Sequence, residues 1–166
     1  MLLFAYAGNM DVHKFSETVP SAKRIGIAHL PGYSFTFSKT ADDDSSKANI
    51  IPSHDPAEVV WGVLIEFDEP ERSNFYYPDI LSSGLKLEPV ICIAGNGDLH
   101  HAEAFFAQPH AVNFCILPYD WYHKKIIQLA EDSELPKEYI NKILHMPFKI
   151  DADEKRRAKR LKKLRP

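Results

Sequence analysis

The chain is expected to fold as an α+β protein around a curled, mostly antiparallel sheet, on three observations. Strand-like runs fill it as far as Ala107, while its two longest helical segments, Tyr119 to Asp132 and Pro136 to Met146, come late. Tyr33, Phe35 and Phe37 alternate with Ser34, Thr36 and Ser38, the period-two pattern of a half-buried strand. Asn96-Gly97, between the apolar runs Leu87 to Ala94 and His101 to Ala107, is the strongest short hairpin signal in the sequence.

Taken in order, Leu3-Phe4-Ala5-Tyr6 reads as a buried strand that turns sharply at Ala7-Gly8-Asn9-Met10, and Asp11 to Glu17 reads as a short helix closed off by Pro20. Small residues at such a turn let a ligand approach the backbone, and N–H groups at a helix start favour an oxyanion or carboxylate. The plainer reading is an ordinary strand-to-helix connection. Ile25 to Leu30 and Tyr33 to Ser38 are strands bent apart by Pro31-Gly32, and Thr40 to Lys47 is a polar, acidic loop expected to move. Asn49-Ile50-Ile51-Pro52 is a short strand before a turn at residues 53–56. Val59 to Phe67, apolar almost throughout, is the central strand. Asp68 to Ser83 turns from acidic to aromatic and matches no single element. Pro136 opens the second late helix at its first turn.

The 166 residues, 45% of them hydrophobic, suit one domain with a real core over residues 1–147, followed by a basic tail over 148–166. No apolar run reaches the roughly 20 residues of a membrane span, and Met1-Leu2-Leu3 lacks the charged start of a signal peptide, so a cytoplasmic protein without a membrane partner is expected. The net charge of −3 hides an asymmetry: the first 150 residues carry 12 basic against 20 acidic side chains, whereas residues 155–165 hold eight basic ones. Such a tail could touch nucleic acid or another anionic surface, but it has no aromatic residue to stack on bases. It is therefore expected to be a solvated, frayed helix end that the fold can spare, with nucleic acid not a partner. Cys92 and Cys115 both lie in apolar runs and read as small buried hydrophobes. Eight histidines occur, yet none with zinc-ligand spacing, and neither a serine-nucleophile elbow nor a phosphate loop is present. Gly95-Asn96-Gly97 lacks the third glycine and the helix of a dinucleotide fingerprint.

In this order the pieces resemble the γ-glutamylcyclotransferase-like proteins. Phe4-Ala5-Tyr6-Ala7-Gly8-Asn9-Met10 is similar to that family's Tyr-Gly-Ser-Asn loop. The similarity continues through Ala28-x-Leu30, Gly32-Tyr33-x-Phe35-x-Phe37, Asn49-Ile50-x-Pro52 and Val60-Trp61-Gly62-Val63, then Pro118-x-x-x-Tyr122 and Leu135-Pro136-x-x-Tyr139, covering about residues 2–145. The resemblance implies a small mixed, mostly antiparallel β-barrel with flanking helices and a cavity at its mouth for a γ-glutamyl group. It implies a substrate held by Phe4, Ala5, Tyr6, Ala7, Gly8, Asn9 and Tyr122, in a monomer or homodimer. Counting from Trp61 without a gap puts Asp79 where the family has its catalytic glutamate, so the chain departs from the pattern at the base itself. Glu66 and Glu88 do not fall on that position.

The implied reaction forms 5-oxoproline from a γ-glutamyl amine or amino acid. A carboxylate is wanted because the substrate's α-amino group must be neutral to attack its own γ-carbonyl, and a positioned carboxylate can take that proton and return it to the leaving amine. Backbone N–H groups of residues 7–9 would meet the developing oxyanion. Ring closure within one molecule needs no cofactor. Because Asp79 is a methylene shorter than glutamate, the alternative is a non-catalytic small-molecule-binding member of the same fold. An interaction protein that works through its acidic body and basic tail is the third reading.

Overall fold

A computed structural model of the chain describes residues 1–77 and 83–165. Its strands are β1 (Leu2–Ala5), β2 (Lys23–Pro31), β3 (Tyr33–Thr40), β4 (Ser46–Pro52), β5 (Val59–Glu66), β6 (Leu85–Ala94) and β7 (Leu99–Ala107). Its helices are α1 (Val12–Ser16), α2 (Arg72–Phe75), α3 (Asp120–Asp132), α4 (Lys137–Leu144) and α5 (Glu154–Leu161). Five strands close into a barrel in the order β1-β5-β2-β6-β7, and β3 and β4 form a separate hairpin sheet. The apolar β5 lies between β1 and β2, antiparallel to both, as its composition requires. The ring is sealed by a parallel pairing of β1 with β7 at Leu3↔Glu103, which leaves no open edge in that sheet. The α+β class and the mostly antiparallel barrel are as expected. Among the described residues, no helix is long and apolar enough to cross a membrane.

The core fills the barrel and the space beneath α3 and α4. Phe4, Leu64, Ile65, Val63, Ile126 and Ile143 are fully buried. Phe75 of α2 packs edge-on against Phe15, Phe67 and Phe105, with ring centroids 5.2 to 6.2 Å apart, and pins the 69–75 segment to the barrel wall. Asn96-Gly97 makes the β6–β7 turn, with Gly97 at a φ of +88°, the conformation that glycine adopts without strain.

Three expectations are corrected. The alternation in β3 holds, but its polar row is not solvated. Ser38 is completely buried: its Oγ lies 2.8 Å from Thr36 Oγ1 and accepts from Asn49 Nδ2 at 3.2 Å, while Asn49 Oδ1 accepts from the Ala107 N–H at 2.9 Å. A hydrogen-bonded polar seam thus joins the hairpin to the barrel. The 40–47 loop, expected to move, is tied down. The Asp43 carboxylate accepts from Ser45 and from Lys47 Nζ, the Asp43 carbonyl accepts from Tyr119 Oη at 2.8 Å, and Lys149 Nζ donates to the Asp44 carbonyl at 2.6 Å. Cys92 is buried, as expected, and its burial pushes the thiol up to about 12, but Cys115 is exposed because its run lies in an irregular segment after β7.

The end of the chain also differs from a frayed helix. Asp151, 1% exposed, accepts from the buried Trp121 Nε1 at 2.8 Å and from Arg156 Nε and Nη2 at 2.6 Å each. Arg157 Nε donates to Asp120 Oδ2 at 2.7 Å. The Arg156 and Arg160 guanidinium groups lie 4.9 and 5.1 Å from the ring centroids of Tyr119 and Trp121. Asp120 and two aromatic faces of the body, with Asp151 bonded to the buried Trp121, therefore dock α5. The Arg156 hydrogen bonds, above all, hold the Asp151 carboxyl far below the usual range.

Candidate active site

Ala5 is the last residue of β1, and its pairing with Val63 fixes where the following loop leaves the barrel. Residues 8–10 then make one 3-10 turn, in which the Met10 N–H donates to the Ala7 carbonyl at 2.9 Å, and Asp11 caps α1 by accepting from the Lys14 N–H at 3.1 Å. The first N–H groups of such a turn have no acceptor within it. A cavity of about 460 Å³ opens here, within the usual size of small-molecule sites. Phe4, Ala5, Tyr6, Ala7, Gly8, Asn9 and Tyr122, singled out in the sequence, all line it. Asp79 lies outside the described residues. Glu66 and Glu88 are not in the lining, and Glu88 is paired with Lys86 at 2.7 Å. Among the described residues, the lining holds no carboxylate.

The lining residues differ in what they can offer. Tyr6 is buried, its hydroxyl donates to the Phe105 carbonyl at 2.7 Å, and burial pushes its phenol far above the ordinary value, so it braces the wall. Tyr122 accepts from the Ala48 N–H at 3.2 Å, and burial pushes its phenol up to about 12. It stays protonated, and since its oxygen accepts that bond its own hydrogen is left to donate. Gly8 does not have a positive φ, and a Cβ built there would meet only Lys125 Nζ, 4.0 Å away. It therefore contributes open space rather than an unusual backbone.

Reasoning from the sequence missed the lysines. Lys39 and Lys47 line the cavity from the β3–β4 hairpin, and Lys125 of α3 brings its ammonium beside Gly8. Burial lowers the pKa of all three, and for Lys125 the neighbouring Lys14, Arg160 and Lys47 lower it further. Lys47 Nζ lies 4.9 and 5.0 Å from the ring centroids of Trp121 and Tyr122. No regular signal gave them: the β3–β4 ladder shifts register between Phe37 and Lys39, and it is that shift which sets Lys39 opposite Lys47.

A closed α+β barrel with its cavity at the end of the first strand defines a class of small barrel proteins with a site at the mouth. Solved structures identify the class further. A γ-glutamyl cyclotransferase superposes with a TM-score of 0.82 at 22% identity, covering 98% of this chain and 98% of its own. An uncharacterized protein from Homo sapiens gives 0.78 at 21% identity over 95% and 97% of the two chains. A γ-glutamyl cyclotransferase specific to glutathione, from yeast, gives 0.62 at 13% identity over 87% and 93%. No family model matches the sequence, and no curated protein matches it. The chain has the γ-glutamyl cyclotransferase-like fold.

Proposed function

We propose that the chain is a γ-glutamyl cyclotransferase that releases 5-oxoproline from a γ-glutamyl amine or amino acid, with Asp79 as its base. The observation that carries this reading is that the loop residues 4–9 and Tyr122 face one cavity. In this reaction the substrate's α-nitrogen attacks its γ-carbonyl carbon, the lactam C–N bond forms and the original amide C–N bond breaks. Asp79 takes the proton from the α-amino group and delivers it to the leaving nitrogen. The backbone N–H groups of residues 7–9 meet the oxyanion, and the Tyr122 hydroxyl donates a further hydrogen bond. The apolar walls at Phe15, Phe75 and Phe105 hold the folded conformer that ring closure requires.

The missing methylene separates catalyst from binding module. A misplacement of about 1 Å costs on the order of 100-fold in rate, so Asp79 works as a base only if the backbone around it has moved inward. The experiment is 5-oxoproline release from γ-glutamyl amines and amino acids by the parent chain, Asp79→Asn and Asp79→Glu, across pH values bracketing an α-amino pKa of about 8. An active parent that is silenced by Asp79→Asn is the expected result. Equal activity of all three refutes Asp79 as the base. If all three are silent but still bind γ-glutamyl ligands, the chain is a binding module.

A further inference from the structure

Two of the arginines that dock α5 rest on side chains whose other contacts shape the cavity. Arg160 stacks on Trp121, its guanidinium 5.1 Å from the ring centroid, and Lys47 Nζ lies 4.9 Å from that same centroid. Arg156 stacks on Tyr119, whose hydroxyl donates to the Asp43 carbonyl at 2.8 Å. The Asp43 carboxylate accepts from Lys47 Nζ at 3.1 Å, and Ser45 Oγ accepts from it at 2.8 Å. Asp151, the carboxylate that Arg156 grips, also accepts from Trp121 Nε1 at 2.8 Å. Trp121 packs edge-on against Tyr122 with ring centroids 6.0 Å apart, and Tyr122 accepts from the Ala48 N–H at 3.2 Å. Lys47, Ala48 and Tyr122 all line the cavity.

Lys47 is therefore paired within its own loop, while the frame around that loop is set from α5. Arginine suits the task, because one flat guanidinium can lie on a ring and still give its N–H groups to a carboxylate, as Arg156 does. Burial lowers the Lys47 pKa and the charges of Arg160 and Arg156 lower it further, so the helix reaches the cavity through its field as well as through contact. A wall supported from the far end of the chain can open locally when that end lifts, with the barrel still closed. We infer that Arg156 and Arg160 are positioning residues for the cavity: by docking α5 they hold the wall of Lys47, Ala48 and Tyr122 in place. This buttress stands apart from the γ-glutamyl reading; its consequence for affinity rests on that reading.

The test compares the full chain carrying both Arg156→Gln and Arg160→Gln with one carrying both Lys155→Gln and Lys159→Gln. The second removes the same charge from exposed positions of α5 that make none of these contacts. Amide hydrogen exchange is measured first, without ligand. In the arginine variant the amides of residues 45–48 should exchange at least about tenfold faster, whereas Ala94 and Gly97, bonded in the β6–β7 turn outside this network, keep the parent's rates. The lysine variant should match the parent throughout. Arg160→Gln alone serves where the double variant does not fold, with a change of about threefold. Affinity for γ-glutamylalanine is then measured calorimetrically on the same chains with Asp79→Asn added to suppress turnover. The arginine variant should bind about fivefold or more weakly, and saturating ligand should slow exchange of the parent's own α5 amides by the same factor, because coupling is reciprocal. Unchanged exchange at residues 45–48 in the arginine variant, or an equal change in the lysine variant, overturns the buttress, and so does faster exchange with unchanged affinity. A parent that does not bind γ-glutamylalanine overturns the γ-glutamyl reading, and the exchange rates alone then decide the buttress.

Discussion

Gly62 is where the barrel can be made to push on the candidate site. It pairs with Ala28 in the middle of the sheet, and a Cβ at this position would lie 2.5 Å from the Ala5 carbonyl oxygen and 3.0 Å from Cε2 and Cζ of Phe4. Ordinary contacts between such atoms are about 3.5 to 4.0 Å. Gly62→Ala must therefore push β1 outward by roughly 0.5 to 1 Å, because a backbone oxygen cannot swing aside as a side-chain tip can. Overpacking of this kind costs about 1 to 3 kcal/mol. At about 2 to 4 °C per kcal/mol for a chain of this size, Tm should fall by roughly 2 to 12 °C. Ala5 leads straight into the loop, so the N–H groups of residues 7–9 move with it, and on the order of 100-fold in turnover should be lost. Thermal unfolding by circular dichroism and 5-oxoproline release measure the two effects. Gly95→Ala, where a Cβ meets nothing within 4 Å, is the control and should keep Tm within about 1 °C. A Gly62→Ala protein with unchanged Tm and unchanged ligand affinity would show that β1 does not set the loop's position.

Gly8→Val should remove γ-glutamyl ligand binding by filling the cavity while leaving Tm nearly intact, and full retained affinity would place the ligand elsewhere. Asp151→Ala strips the buried Trp121 N–H of its acceptor and should lower Tm by about 3 to 8 °C; truncation after Ile150 should do at least as much, and an unchanged Tm in both would show that α5 is not docked. Because the folded pKa of Asp151 is depressed, the stability it contributes is present above the usual carboxylate pKa of about 4 and is lost as pH falls toward the folded value. Asp151→Asn should accordingly flatten the acid side of the stability profile, and an identical acid limb in parent and variant would refute the assignment.

The strands were legible because their signals are local: Val59 to Phe67 is apolar but for Glu66, Asn96-Gly97 dictates its own turn, and Asp11 carries its capping oxygen into α1. The loop of the candidate site was legible for the same reason, since residues 4–9 are contiguous. What escaped is what depends on partners distant in sequence. The buried polar face of β3 is explained by Asn49 and Ala107, and the tied 40–47 loop by Tyr119 and Lys149. The docked tail depends on Asp120 and Trp121 meeting residues thirty or more positions later. A run of basic residues reads as solvated until the acidic and aromatic groups that hold it are known.

The closure of the barrel bears on how the candidate site comes into being. The loop follows a strand of only four residues, paired along its length with β5, from Leu2 with Glu66 to Ala5 with Val63, and with β7 at Leu3 and Glu103. None of these contacts is local, so β1 lacks part of its pairing until the chain beyond residue 100 is in place. Bringing such distant pieces together costs loop-closure entropy before any contact repays it, which makes high-contact-order barrels slow to form. The β6–β7 hairpin, with its own turn and a continuous antiparallel ladder, can form early. The strand that carries the loop thus has its full set of partners only once the ring closes on β7, and the cavity wall is complete only then.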